Sequence, residues 1–160
     1  MIFTLLLGTN LGDRLQNLQA ACQYIYQEIG KIVQQSSIYE TEPWGYTQQP
    51  TFYNQVLNVE SELSPWEVLQ KNQAIEQKLG RTIRNKWTAR SMDIDILYAE
   101  GTVLETPNLI IPHPAIPFRR FTLVPLCEIM PHFLHPVLEQ TQEYLLKNCA
   151  DDLAVKRLNQ

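Results

Sequence analysis

The sequence is poor in cysteine. Cys22, Cys127 and Cys149 are three, far apart and without Cys-x-x-Cys spacing. That excludes a zinc or disulfide framework and predicts reduced thiols in a cytoplasmic protein. No apolar run approaches the ~20 residues that a membrane-spanning helix needs. The first run, Met1-Ile-Phe-Thr-Leu-Leu-Leu7, breaks at Gly8 and reads as a buried strand rather than a signal peptide. Positive charge is also short: 13 Lys and Arg stand against 17 Asp and Glu, a formal net charge of -4. A general nucleic-acid or membrane-surface binder needs the opposite field, so any anion site must be a local basic cluster. With six glycines, none opens a Gly-x-x-x-x-Gly-Lys-Ser/Thr sequence. A P-loop is excluded, and phosphate binding would have to rest on side chains and metal.

What remains is an ordinary globular composition, 44% hydrophobic and 19% charged over 160 residues. It predicts one domain over 1–160 with its own core. Residues 2–7 predict a strand and Gly8–Asp13 the turn after it. Leu15, Leu18, Cys22, Ile25 and Ile29 recur at helical spacing as one buried face, stopping at Gly30. Residues 32–39 predict a second strand, 40–51 an irregular loop and 52–63 a long strand. Ser64-Pro-Trp-Glu67 is a capping box with proline in the first turn, opening a helix to about Leu79 that Gly80 ends. Residues 81–90 predict a polar basic loop, 92–98 a strand and 103–111 a hairpin arm. Helices follow near 121–129 and 140–148. The order β-α-β-β-α-β with extensions predicts an α+β, ferredoxin-like split βαβ fold with an antiparallel sheet and helices on both faces.

Three constellations carry chemistry. In Met92-Asp-Ile-Asp-Ile-Leu97, strand alternation puts Asp93 and Asp95 on one face and Met92, Ile94 and Ile96 on the other. Two carboxylates that close repel unless a cation sits between them, and magnesium suits a few carboxylates plus phosphate oxygens and water. Taken alone, an Asp-x-Asp is more often a solvated strand edge. Arg81, Arg84, Lys86 and Arg90, just ahead of it, supply cations that could neutralise charge on phosphoryl oxygens, and Trp87 in that polar loop suggests a lid closing over substrate. Second, Phe52 and Asn54 share a strand face near Thr41-Glu-Pro-Trp-Gly45. An aromatic beside an amide fits a flat heterocycle with an amide-like edge, although a strand aromatic is usually core. Third, His113 is fixed between Pro112 and Pro114, close to Arg119, Arg120 and Phe121. It could donate to a phosphate or simply bond backbone.

Together these stretches resemble the 6-hydroxymethyl-7,8-dihydropterin pyrophosphokinase family of folate biosynthesis. The resemblance runs through Gly8-Thr-Asn-Leu-Gly-Asp13, Tyr39-x-Thr41-x-Pro43-x-Gly45, Gln49-Pro50-x-Phe52-x-Asn54 and Leu79-Gly80-Arg81. It continues in Trp87-x-x-Arg90-x-x-Asp93-Ile-Asp95-Ile-Leu97, Ile111-Pro-His-Pro114 and Pro125-Leu-x-Glu128-Ile. It implies a ferredoxin-like α+β enzyme that transfers the β,γ-diphosphate of ATP to the pterin hydroxymethyl oxygen and releases AMP. It implies two magnesium ions on Asp93 and Asp95, with Arg81 and Arg90 acting in catalysis. Thr41, Pro43, Trp44, Phe52, Asn54, Trp87 and Phe121 would take the pterin, with Phe52 and Phe121 sandwiching its ring. Leu69, Gln73, Glu76, Arg84, Ile96, His113, Pro114 and Arg119 would take ATP. The chain departs from the family pattern at Arg81-Thr-Ile-Arg84, where Arg-x-Arg is usual, and at Trp87-Thr-Ala-Arg90, where Trp-Gly-Pro-Arg is usual. Asn108 stands where some members have arginine.

The expectation is therefore an ATP- and magnesium-dependent diphosphokinase, cytoplasmic and monomeric, with small molecules as partners and neither nucleic acid nor membrane. Two readings stay open beside it. A metal-dependent phosphodiesterase would use the same aspartates to activate water, and a ligand-binding regulator of this fold would need no metal.

Overall fold

The computed structural model describes residues 1–43, 49–80 and 91–159. Strands β1 (Ile2–Thr9), β2 (Lys31–Gln35), β3 (Tyr39–Thr41), β4 (Phe52–Glu60), β5 (Asp93–Ala99) and β8 (Val155–Arg157) form one six-stranded sheet. Its order is β5-β1-β4-β3-β8, with β2 also on β4, and every pair is antiparallel. Among the described residues the short strands β6 (Leu104–Glu105) and β7 (Ile110–Ile111) pair only with each other. Helices α1 (Arg14–Glu28), α2 (Pro65–Lys78), α3 (Arg120–Ile129) and α4 (Gln142–Lys147) cover the sheet.

Two apolar layers follow from strand alternation. Phe3, Leu5 and Leu7 of β1, Leu57 and Val59 of β4, and Ile94 and Ile96 of β5 meet Leu18, Ala21 and Ile25 of α1 and Val68 and Ile75 of α2. On the opposite face Leu6, Val56, Leu97 and Tyr98 meet Leu123 and Leu126 of α3 and Leu145 of α4. Each Val, Leu, Ile or Phe side chain among them contributes about 1.5–3 kcal/mol relative to exposure. A register shift between Thr4 and Leu5 against β5 lets both Leu97 and Tyr98 join the second layer.

The capping box is present in full. Ser64 Oγ accepts from Glu67 N at 3.2 Å and Glu67 Oε1 accepts from Ser64 N at 3.0 Å, with Pro65 opening α2. Asp13 caps α1 by accepting from Gln16 N. Gly30 is required by close approach: a Cβ there would lie 2.0 Å from Glu60 O.

Four expectations need correcting. The strand over 32–39 is two strands, because Ser36 leaves the ladder. Its backbone N donates to Val56 O and its Oγ accepts from Val56 N, both at 2.9 Å. The loop set at 40–51 starts later, since β3 runs through Thr41. Leu15 is 43% exposed rather than part of the buried stripe. At 100° per residue it stands about 60° round from Leu18, on the flank of α1. The sequence predicts no strand after 148, yet β8 forms at Val155–Arg157, its three residues carrying no usable alternation.

Candidate active site

β1, β4 and β5 bring the expected site together at one end of the sheet, on the α3 face. Gly8 is the register partner of Asp93 on one side and of Asn54 on the other. Asn54 is in turn paired with Tyr39, and Thr41 with Phe52. Neighbouring strands in register put the backbones of Asp93 and Asn54 about 10 Å apart, with a glycine between them. Asp95 lies one pleat further along, opposite Leu6. Both aspartates are half-buried, while Met92, Ile94 and Ile96 are in the core. The alternation expected from the sequence is thus the one observed.

Asn54 is 3% exposed and its amide is oriented by two bonds. Thr41 Oγ1 donates to Oδ1 at 2.7 Å, and Nδ2 donates to Leu7 O at 3.3 Å. One N–H and one lone pair of the amide lie beyond those two bonds, so the group keeps a donor and an acceptor. Gly8 makes this arrangement possible. A Cβ there would meet Asn54 Nδ2 at 2.7 Å and the Phe52 ring at 3.6 Å. The sequence places Gly8 in the turn, whereas β1 runs through it to Thr9; the signal for this role is a glycine closing an otherwise apolar run.

Residues 49–51, just ahead of β4, are fastened by Asn10 and Arg14. Asn10 Nδ2 donates to Gln49 Oε1 and Pro50 O, and Arg14 donates to Thr51 O and Oγ1 at 3.0 and 2.8 Å. The Arg14 guanidinium also lies 3.9 Å over the Tyr53 ring. These side-chain bonds order the entry to β4.

The third wall comes from the Pro112-His113-Pro114 loop and the start of α3. His113 N donates to Leu97 O at 2.9 Å, docking the loop on the outer edge of β5. His113 Nδ1 accepts from Ala115 N at 3.1 Å, which leaves the ring proton on Nε2. Burial and the Arg119 guanidinium pull its pKa down to about 4, against a smaller upward pull from Asp93. The imidazole is therefore neutral at pH 7 and a donor through Nε2. Arg119 lies 5.7 Å over the Phe121 ring, and both residues are half-buried.

The remaining expected ATP residues that the structure describes lie on α2, on β5 and in the Pro112–Pro114 loop. Glu76 of α2, 4% exposed, accepts from Ile94 N at 2.7 Å, between the two aspartates. Leu69 is half-buried on the same helix and Gln73 is exposed. Ile96 turns its side chain into the α1–α2 layer, so only its backbone faces outward. Pro43 is buried two residues after β3, and Pro114 is exposed. Trp44, Arg81, Arg84, Trp87 and Arg90 lie outside the described residues.

A family model for 7,8-dihydro-6-hydroxymethylpterin-pyrophosphokinase matches residues 4–131. The chain belongs to this family. Among its relatives, the 2-amino-4-hydroxy-6-hydroxymethyldihydropteridine pyrophosphokinase of Bacillus subtilis is 43% identical over 124 residues, 77% of this chain and 74% of that protein. The protein of the same name from Aquifex aeolicus is 40% identical over 133 residues, 82% and 81% of the two chains. In fold, the chain matches Plasmodium falciparum HPPK-DHPS, solved with pteroate, at a TM-score of 0.74 and 18% identity. That match covers 91% of this chain and 42% of the longer protein.

No cluster of three or more His, Cys, Asp and Glu side chains placed to hold a metal occurs among the described residues. A carboxylate pair alone is nonetheless what magnesium uses when substrate phosphates complete its coordination. Asp93 and Asp95, half-buried on one strand face, fit that donor set.

Proposed function

We propose that this chain transfers the β,γ-diphosphate of ATP to the hydroxymethyl oxygen of 6-hydroxymethyl-7,8-dihydropterin, giving AMP and the pterin diphosphate. One observation carries the reading: a carboxylate pair and a buried, hydrogen-bonded amide lie on one sheet face across a single glycine, Asp93-Gly8-Asn54. A reaction joining a flat alcohol to a polyphosphate needs those two halves within one substrate length.

On this reading Phe52 and Phe121 hold the pterin ring between them, and Asn54 pairs with its amide-like edge. Thr41 fixes which way that amide points. Asp93 and Asp95 would hold two magnesium ions, which when bound neutralise the phosphates and polarise the β-phosphorus. His113 would donate through Nε2 to a phosphate oxygen, and Arg119 would add positive charge beside it. The hydroxymethyl oxygen then forms a bond to the β-phosphorus as the bond to the oxygen bridging the α-phosphorus breaks. The oxygen pair leaves with AMP, and the hydroxyl proton is lost to a base that no side chain here is assigned to supply. Arg81 and Arg90 belong to the same proposal as transition-state cations, with Arg84 on the ATP side and Trp44 and Trp87 on the pterin side.

Two βαβ crossovers, from β1 through α1 and from β4 through α2, each skip one strand. That supports reading the fold as ferredoxin-like split βαβ. The enzyme is further proposed to work as a cytoplasmic monomer on small molecules; no described helix is long and apolar enough to cross a membrane.

The test is an assay for AMP with ATP, magnesium and the pterin alcohol, in which Asp95→Ala should form none while staying folded. AMP release without the pterin would favour a phosphodiesterase, and magnesium-independent ligand binding without turnover would favour a regulator.

A further inference from the structure

The segment after α4 lies beyond the family-matched residues, which end at 131, and it touches both walls of the proposed pterin slot. α3, whose first turn carries Phe121, has Arg119 as its N-cap residue and no side-chain cap from its own start. Asp151 supplies one from a distance: its Oδ2 accepts from Arg120 N at 2.9 Å, and its Oδ1 accepts from Leu153 N at 3.1 Å. A carboxylate there satisfies an orphan helix N–H and faces the positive end of the helix dipole.

Four residues later the same segment becomes β8 and pairs with β3. Val155 is opposite Thr41, Lys156 opposite Glu40 and Arg157 opposite Tyr39. Glu42 N donates to Ala154 O and Leu158 N to Ile38 O, so the ladder is closed at both ends of β3. β3 presents Thr41, which orients Asn54. The far end of α3 is bolted to the same region. Glu128 accepts from Ser37 N, Ser37 Oγ and, at 2.6 Å, Tyr39 Oη.

We infer that residues 151–158 act as a brace that sets the spacing between Phe121 on α3 and the Thr41–Asn54–Phe52 wall, making Asp151 a positioning residue for the pterin. Asp151 does not itself touch the substrate. Its effect passes through the first turn of α3 on one side and through β8 and β3 on the other. Among the described residues, the hydrogen bonds of this segment run to α3 and β3 and not to α2, β5 or the Pro112–Pro114 loop; of the ATP-side residues Arg119 alone starts from the braced turn. Weakening the brace should therefore separate the two affinities. This inference rests on the pterin reading above.

The experiment compares the full chain with Asp151→Ala and Asp151→Asn by calorimetry. Pterin is titrated in the presence of a non-hydrolysable ATP analogue, the analogue is titrated alone, and thermal unfolding is recorded for each protein. Asp151→Ala should raise the pterin Kd about fivefold, equivalent to the ~1 kcal/mol typical of a helix cap. The analogue Kd should move by less than about twofold. Asp151→Asn keeps one of the two acceptor oxygens, enough to cap Arg120 N while giving up the bond from Leu153 N, and should restore pterin binding to within about twofold of wild type. The brace is overturned if Asp151→Ala leaves pterin binding unchanged, if it shifts both ligands by the same factor, or if Asp151→Asn is as weak as Asp151→Ala. Wild-type protein that fails to bind pterin at all would overturn the functional reading and the brace with it, whereas intact wild-type binding with unaffected variants removes the brace alone.

Discussion

Gly8→Ala tests the site at its centre. The backbone of Gly8 is not in the left-handed region, so alanine is conformationally allowed and only the space above it matters. The new Cβ would stand 2.7 Å from Asn54 Nδ2, whereas ordinary contact begins at 3.4 Å, so the amide must move by about 0.7 Å. It has little room to do so. Its oxygen is held by Thr41 at 2.7 Å, and its bond to Leu7 O is already 3.3 Å long. Displacement breaks the second bond and leaves a buried donor unpaired, which costs about 1–3 kcal/mol. The Phe52 ring, at 3.6 Å, needs no shift. The stability loss should be about 1–2 kcal/mol, lowering Tm by roughly 2–8 °C for a chain of this length. Pterin affinity should fall at least about tenfold, because the reading amide is re-aimed, while affinity for an ATP analogue stays within about twofold. Calorimetry with each ligand and a thermal melt decide the matter. Unchanged pterin affinity and unchanged Tm would show that Asn54 is not held where its recognition role requires.

Glu76→Ala should lower stability by about 1–3 kcal/mol, because the Ile94 N–H at the outer edge of β5 loses its buried acceptor; Glu76→Gln should recover most of this in denaturant unfolding, and equal losses would refute the role. His113 titrates near 6.5 when unfolded and near 4 in the fold, so the unfolded state takes up the proton first. Its contribution is full above pH 6.5 and is lost as pH falls to about 4. Between pH 7 and 4.5, wild type should lose on the order of 1–2 kcal/mol more stability than His113→Gln, allowing for the ring's partial exposure. Parallel pH profiles would contradict this.

Much of the fold was legible because its signals are local. The Ser64–Glu67 capping box, the helical stripe from Leu18 to Ile25 and the Asp93–Leu97 alternation each depend on residues within a few positions of one another. The candidate site was legible where one strand carries two functional groups, as with Asp93 and Asp95 or Phe52 and Asn54. What could not be read depends on residues distant in sequence. Gly8 matters because β1 runs between β4 and β5, and nothing in its neighbourhood announces Asn54 above it. Asp151 caps a helix that begins 31 positions earlier, and β8 exists only because β3 offers an edge. The break at Ser36 is likewise set by its bonds to Val56, not by its own segment.

The central claim is that Asp93 and Asp95, beside the Asn54 amide, support diphosphate transfer to a pterin alcohol. Its most direct test is simultaneous measurement of AMP and pterin diphosphate with ATP, magnesium and 6-hydroxymethyl-7,8-dihydropterin, for wild type and for Asp95→Ala. The account predicts equal amounts of the two products from wild type and neither from a folded Asp95→Ala. Full turnover by Asp95→Ala, or AMP formed by wild type without the pterin, would contradict it.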